Sequence, residues 1–183
     1  MFTNSIRLVA LASVLISGAA FAENPMVGGA PMYENKNIIE NAVNSKDHTT
    51  LVAAVKAAGL VETLQGKGPF TVFAPTNAAF DALPKGTVET LLKPENKDKL
   101  TKILTCHVVA ANADSKAIMK MVDDDKGAHP VKTVGGCVWT AKYKGDKLTL
   151  TDENGTVANV TIANVKQSNG VIHVIDKVLL PKM

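Results

Sequence analysis

Aromatic residues are scarce in this chain: one Trp, two Tyr and five Phe make up 4% of its 183 residues. Stacking platforms for bases or flat sugars are therefore poorly supplied. No charge of one sign dominates either. Twenty Lys and Arg stand against 17 Asp and Glu, a net charge of +3. Lysines alternate with acids along the chain and form no stripe, so the sequence carries neither an electrostatic footprint for nucleic acid nor a polybasic membrane anchor. After the first 22 residues no segment approaches the roughly 18 to 20 apolar residues that a membrane helix requires. Catalytic patterns are missing as well. There is no G-x-S-x-G elbow, no phosphate loop around Gly66-Lys67-Gly68, and no H-x-H or H-E-x-x-H spacing for a metal.

What is present begins with an address. Arg7 supplies a short positive region, Leu8 to Ala20 is apolar, and Ala20-Phe21-Ala22 forms an A-x-A-type cleavage site. Residues 1–22 are expected to be a signal peptide for export by a bacterial-type route, with the mature protein periplasmic or extracellular. Removing them leaves 161 of the 183 residues and takes Arg7 out of the charge balance, giving +2. That length suits one domain with a real core. In an oxidising compartment the two cysteines, Cys106 and Cys137, are expected to pair. A bridge across their separation of 31 residues would contribute about 3 to 4 kcal/mol in the chain-entropy model. The rival reading, a reactive or metal-binding thiol, lacks a neighbouring base. Cys106-His107 is not the end of a C-x-x-C-H haem site, because position 103 is Ile103.

Residues 23–36 mix Pro, Gly and polar residues and read as a linker. A helix-rich stretch follows. Ile38, Ile39 and Val43 form an amphipathic turn. Leu51, Val52, Val55 and Ala58 have helical spacing with Gly59 placed to end it, and Val61 and Leu64 add another apolar turn. Phe70 to Phe73 is β-rich, and Thr76 can cap a helix over 77–82. Further helices are expected over 88–92, over 95–104 with Pro94 at the first position, and over 115–122. Short strands then dominate: 131–134, 138–143, 147–151, 157–162 and a final run from Val171. Lys144-Gly145-Asp146 and Glu153-Asn154-Gly155 supply hairpin turns. The plan is α+β, with the helices mainly in the N-terminal half.

The final run is apolar on both sides. Alternation puts Val171, His173 and Ile175 on one face and Ile172, Val174 and Asp176 on the other, so the strand needs cover above and below. With Asn169 to Pro181 it resembles the second signature segment of the fasciclin (FAS1) domain family. Thr71-Val72-Phe73-Ala74-Pro75-Thr76-Asn77-Ala78-Ala79-Phe80 resembles the first, and Leu104 to Val109 is similar to the central Tyr-His motif. The resemblance runs over about 37–181. It implies a FAS1 fold, a β-sheet wedge beside a group of helices, in which the two signature segments are neighbouring core strands. On it Thr71, Phe73, Pro75, Thr76, Asn77, Phe80, His107, Asn169, Gly170, His173 and Asp176 are structural motif residues. Two departures stand out. Cys106 replaces the motif tyrosine. Asn164-Val165 occupies the place of the Asp-Ile pair associated with integrin adhesion in animal members, so integrin binding is not expected.

The polar residues within this frame read as core elements. His107 and His173 lie in apolar surroundings that favour buried, hydrogen-bonded histidines over a metal pair, whereas His48 and His129 fall in polar contexts. Asp176 is expected to accept hydrogen bonds from backbone amides or from Thr76 or Asn77. Asp123-Asp124-Asp125 lacks the alternation of a calcium loop. The resemblance implies a non-enzymatic adhesion or surface-binding module, without cofactor or metal, whose partner is a protein or a cell-surface or matrix component and not nucleic acid. Its ligand-binding residues are unknown at this level. The alternative is a carrier of an apolar small molecule, carotenoid-like or lipid, in a cleft lined by residues such as Leu60, Leu64 and Leu92.

Overall fold

The computed structural model describes residues 24–182, so the expected leader over 1–22 lies outside it. The stretch expected as a linker carries structure instead. Gly28 and Gly29, at φ of 58° and 76°, turn the chain between β1 (Met26–Val27) and β2 (Ala30–Pro31). The hairpin sinks Val27 and Met32 into the core of the helical half. Burying such side chains stabilises by about 1.5 to 3 kcal/mol each and helps to order a segment whose composition alone reads as loop.

The helices follow their caps. Asn37 accepts from the Glu40 amide (2.9 Å) while its own amide donates to the Glu40 carboxylate (2.8 Å), which starts α1 (Ile38–Ala42). A 3₁₀ turn, Lys46–His48, leads into α2 (Thr49–Ala58), and Gly59 ends it at φ 73°. Next come α3 (Val61–Gln65) and β3 (Phe70–Pro75), after which the Thr76 hydroxyl accepts from the Ala79 amide (3.3 Å) and opens α4 (Asn77–Asp81). α5 (Thr87–Leu91) precedes a 3₁₀ turn, Pro94–Asn96, so α6 (Lys97–Cys106) begins later than expected. β4 (Val108–Val109) and α7 (Ser115–Asp124), capped by Asp114, complete this part.

Five strands end the chain: β5 (His129–Lys132), β6 (Val138–Lys144), β7 (Lys147–Thr151), β8 (Val157–Gln167) and β9 (Gly170–Ile175). β5 is displaced from the expected 131–134. The Thr133 hydroxyl and amide both donate to the Cys137 carbonyl, and the Val134 amide donates to the Val108 carbonyl, which turns these residues out of the ladder. β8 is longer than expected and crosses two register irregularities, with Asn164 at φ 60°.

The large sheet has the order β4-β3-β9-β8-β7-β6-β5. Next to its β4 edge, β3 and β9 run parallel, in register from Phe70 beside Gly170 to Pro75 beside Ile175, so the two signature segments lie side by side. Both faces of this pair are covered. Val72, Ala74, Ile172 and Val174 join the helical cluster, while Phe73 and Ile175 join a second cluster built on Trp139, Leu148, Leu150 and Leu179. The fold is α+β.

Candidate functional site

The motif side chains turn inward. The Thr71 hydroxyl donates to the Ala111 carbonyl (2.6 Å) and accepts from the Ala113 amide (2.9 Å), fixing the chain before α7. Asn77 accepts from the Thr50 amide (3.0 Å) and donates to the Lys46 carbonyl (2.8 Å), joining α4 to α2. Asn169 accepts from the Ile38 amide (3.1 Å) and donates to the Leu64 and Gly66 carbonyls (2.8 and 3.0 Å). Gly170 has no room for a side chain, since a Cβ there would overlap the Phe70 carbonyl. Pro75 and Phe80 are buried.

Both motif histidines are neutral core groups. His107 Nδ1 lies 2.8 Å from the Ile103 carbonyl, and its Nε2 accepts from the Leu179 amide at 3.1 Å, an arrangement that sets the Nδ1–H tautomer. Burial pushes its pKa down to about 4. His173 stacks on Phe73, with ring centroids 5.6 Å apart. Its Nε2 lies 2.9 Å from the Ala113 carbonyl while its Nδ1 accepts from the Asn164 amide (3.3 Å), and burial lowers its pKa also. Cys106 and Cys137 are joined by a disulfide, with Cα atoms 5.4 Å apart.

Two polar residues differ from their sequence reading, and a third has none. Asp176 is only half-buried and lies just past the end of β9. Its carboxylate accepts from the Asn159 amide and side chain, both at 2.7 Å, and not from Thr76 or Asn77, because the partner strand on that side is β8. His48, set among polar neighbours in sequence, is 3% exposed. Its Nδ1 meets the Ser45 hydroxyl at 2.8 Å, and its Nε2 is buried without a hydrogen-bond partner among the described residues. Asp152 went unnoticed in sequence. It accepts from the Asn154 and Thr156 amides and from the Leu180 amide (2.9 Å), latching the C-terminal segment to the β7–β8 turn. The Asp-x-Asn-Gly-Thr turn pattern is the signal that could have found it.

Accessible concavity lies beside this core. A cleft of about 530 Å³, lined by Lys67, Asn112, Ser168 and Asn169, meets another of about 400 Å³ lined by Asp114, Lys116, Asn164 and Lys166. Asn112, Gln167 and Gly170 border both, so the two form one polar groove. Asn164 is tied down at its edge: its carbonyl oxygen accepts from the Ser115 amide (2.7 Å), its amide group donates to the Ser115 hydroxyl (2.6 Å), and Val165 is buried. Asn112 is exposed and makes no side-chain hydrogen bond among the described residues.

The helical half contains two small apolar cavities, each with room of about 30 Å³. Leu60 and Leu64 line one; His48, Val27 and Met32 line the other; Leu92 packs against the same core elsewhere. Among the described residues no group of three or more His, Cys, Asp or Glu side chains is placed to hold a metal ion, and no helix is long and apolar enough to cross a membrane.

Comparison with known proteins gives one family. The Fasciclin domain model matches residues 46–181. Protein sll1483 of Synechocystis sp. is 51% identical over 146 residues, which cover 80% of this chain and 74% of that protein. The cell surface glycolipoprotein MPB83 of Mycobacterium bovis is 33% identical over 165 residues, covering 90% and 64%. Among solved structures, a FAS1 domain pair from the insect cell adhesion molecule Fasciclin I superposes with a TM-score of 0.70 at 18% identity, covering 79% of this chain and 51% of that one.

Proposed function

Since the chain belongs to the Fasciclin domain family, we propose that it is an exported, non-enzymatic binding module that acts in adhesion or surface attachment, in the periplasm or outside the cell. The observation that carries this reading is where the polar side chains are used. His107, His173, Asn77 and Asn169 direct their hydrogen bonds into the fold, while the open groove at the start of β3 and β9 presents the Asn112 amide, the Ser168 hydroxyl and the Lys67, Lys116 and Lys166 ammonium groups, suited to contact with a protein or matrix component. A relative named for the cell surface and a solved neighbour named for cell adhesion support the same reading. Carriage of an apolar molecule finds less support. A cavity of about 30 Å³ beside Leu60 and Leu64 holds roughly one water-sized guest, so a lipid would require the helical half to open.

The test is capture from the envelope of the source cell, under non-reducing conditions, by the immobilised protein and by its Asn112→Trp variant. Asn112 is exposed at the centre of the groove, so the bulky replacement blocks it without disturbing the core. The expected result is a protein or matrix component retained by the parent and lost by the variant. Equal retention by both would remove the groove from the reading, and recovery of a lipidic molecule alone would favour the carrier.

A further inference from the structure

We propose that the outer face of β5 to β8 docks an acidic polysaccharide. Strand register creates this face. Trp139, Ala141, Leu148, Leu150 and Ala158 point into the core, so the alternating residues point outward. Lys142 sits opposite Thr149, Lys144 opposite Lys147, Thr140 opposite Thr151, and Lys132 opposite Val138. Lysines that looked dispersed along the chain are thereby gathered on one side of three strands, β5, β6 and β7.

Like-charge pairing separates this patch from an ordinary solvated surface, whereas freedom from ion pairs is shared by every described lysine but Lys120 and Lys166. Lys132, Lys142, Lys144 and Lys147 are all exposed, and none is in an ion pair among the described residues. Lys144 and Lys147 also face each other directly, a like-charge pairing that costs stability in a sheet and that an external anion would relieve. Acids lie at the margin: Asp146 in the hairpin turn, Glu153, which accepts from the Val138 amide, and Asp176, which accepts from Asn159. These acids leave one net positive charge over the whole face, and the excess is concentrated at the β6–β7 hairpin, where Lys142, Lys144 and Lys147 meet only Asp146.

The chemistry between the lysines identifies the occupant. Thr140, Thr149 and Thr151 place hydroxyls among the ammonium groups, so the face offers charge for carboxylates and donors and acceptors for sugar hydroxyls. The outward residues include no Trp, Tyr or Phe, so the face offers no aromatic to a membrane interface or to stack on a base; its exposed apolar residues are Val138 and Val157. The grid, about 4.8 Å across strands and roughly 7 Å along them, is repetitive and suits an extended polymer carrying regular charges. Pro130 and Lys132 on the edge strand β5 oppose strand addition, leaving the face as the contact. The proposal rests on the surface-binding reading and names a partner chemistry for it, on a face that shares no residue with the Asn112 groove.

The experiment measures binding of the purified protein to polygalacturonate, with dextran, phosphatidylglycerol vesicles and duplex DNA as comparison ligands. Polygalacturonate should bind and dextran should not, with affinity falling steeply between about 20 and about 200 mM salt as screening shortens. Lys142→Glu together with Lys147→Glu should weaken binding about tenfold or more, since two attractive contacts become repulsive. Lys56→Glu with Lys99→Glu, on exposed helical positions, should leave it unchanged, and thermal melts of both variants report that they are folded. Absence of binding at low salt, or equal binding by the Lys142/Lys147 variant, overturns the proposal. Equal or tighter binding to vesicles or DNA overturns the polysaccharide assignment. Retention of polygalacturonate by Asn112→Trp, with loss of envelope capture, distinguishes failure of one face from failure of the other.

Discussion

At the residue scale, His107 couples the fold to pH. It lies between the Ile103 carbonyl and the Leu179 amide, 2% exposed, and burial lowers its pKa from 6.5 to about 4. A histidine with a depressed folded pKa binds its proton more readily in the unfolded chain. Its contribution is therefore fully present above about pH 6.5 and is lost as the pH falls toward 4, by roughly 3 kcal/mol in total. His48 and His173 are shifted in the same direction by burial and add to the loss. Melting should thus fall between pH 6.5 and 4, and His107→Gln, less stable at neutral pH, should show a flatter profile; a parallel profile in the variant would assign the acid sensitivity elsewhere. His107 and His173 were legible in sequence because β-branched and apolar neighbours surround them. His48 was not, because distant residues, the N-terminal hairpin and β3, bury it. Asp176 was legible as a backbone acceptor but not in its partner, which depends on the β8 register.

At the scale of elements, the parallel pair of β3 and β9 depends on two glycines. A Cβ on Gly170 would overlap the Phe70 carbonyl, and one on Gly68 would overlap the Asn169 carbonyl, so the two backbones touch at the start of the pair. The obstacle is backbone on both sides and cannot rotate away. Gly170→Ala should destabilise by about 1 to 3 kcal/mol, read as a lower denaturant midpoint with an unchanged slope. Wild-type stability would mean that the strands separate without cost there. Helices such as α4 were readable because Thr76 is a local cap, and β9 because its run is apolar on both faces. The displacement of β5 and the extension of β8 were not, since Thr133 bonding to Cys137 and the irregularities around Asn164 leave no periodic trace. The lysine face is invisible along the chain for a related reason: it exists only after three hairpin registers are set.

At the scale of the whole molecule, the two hydrophobic clusters share β3 and β9, so each supports the other through one pair of strands. The N-terminal hairpin belongs to only one of them. It precedes the residues matched by the family model, yet Val27 and Met32 roof the cavity floored by Ile38, Leu51, Val72 and Ile172, and the Lys46 amide donates to the Gly28 carbonyl beside His48. Removal of residues 24–32 should therefore leave a folded domain with an open apolar floor. Loss of two buried apolar side chains, Val27 and Met32, should lower its stability. The shortened chain should still melt in one transition, at a lower temperature, and should bind an apolar fluorescent dye that the parent does not. His48, reached by water, should titrate closer to its ordinary value by NMR, because the burial that depresses it comes partly from the hairpin. An unchanged melt without dye binding would make the hairpin an appendage, whereas loss of the folded state would make it part of the domain's minimum.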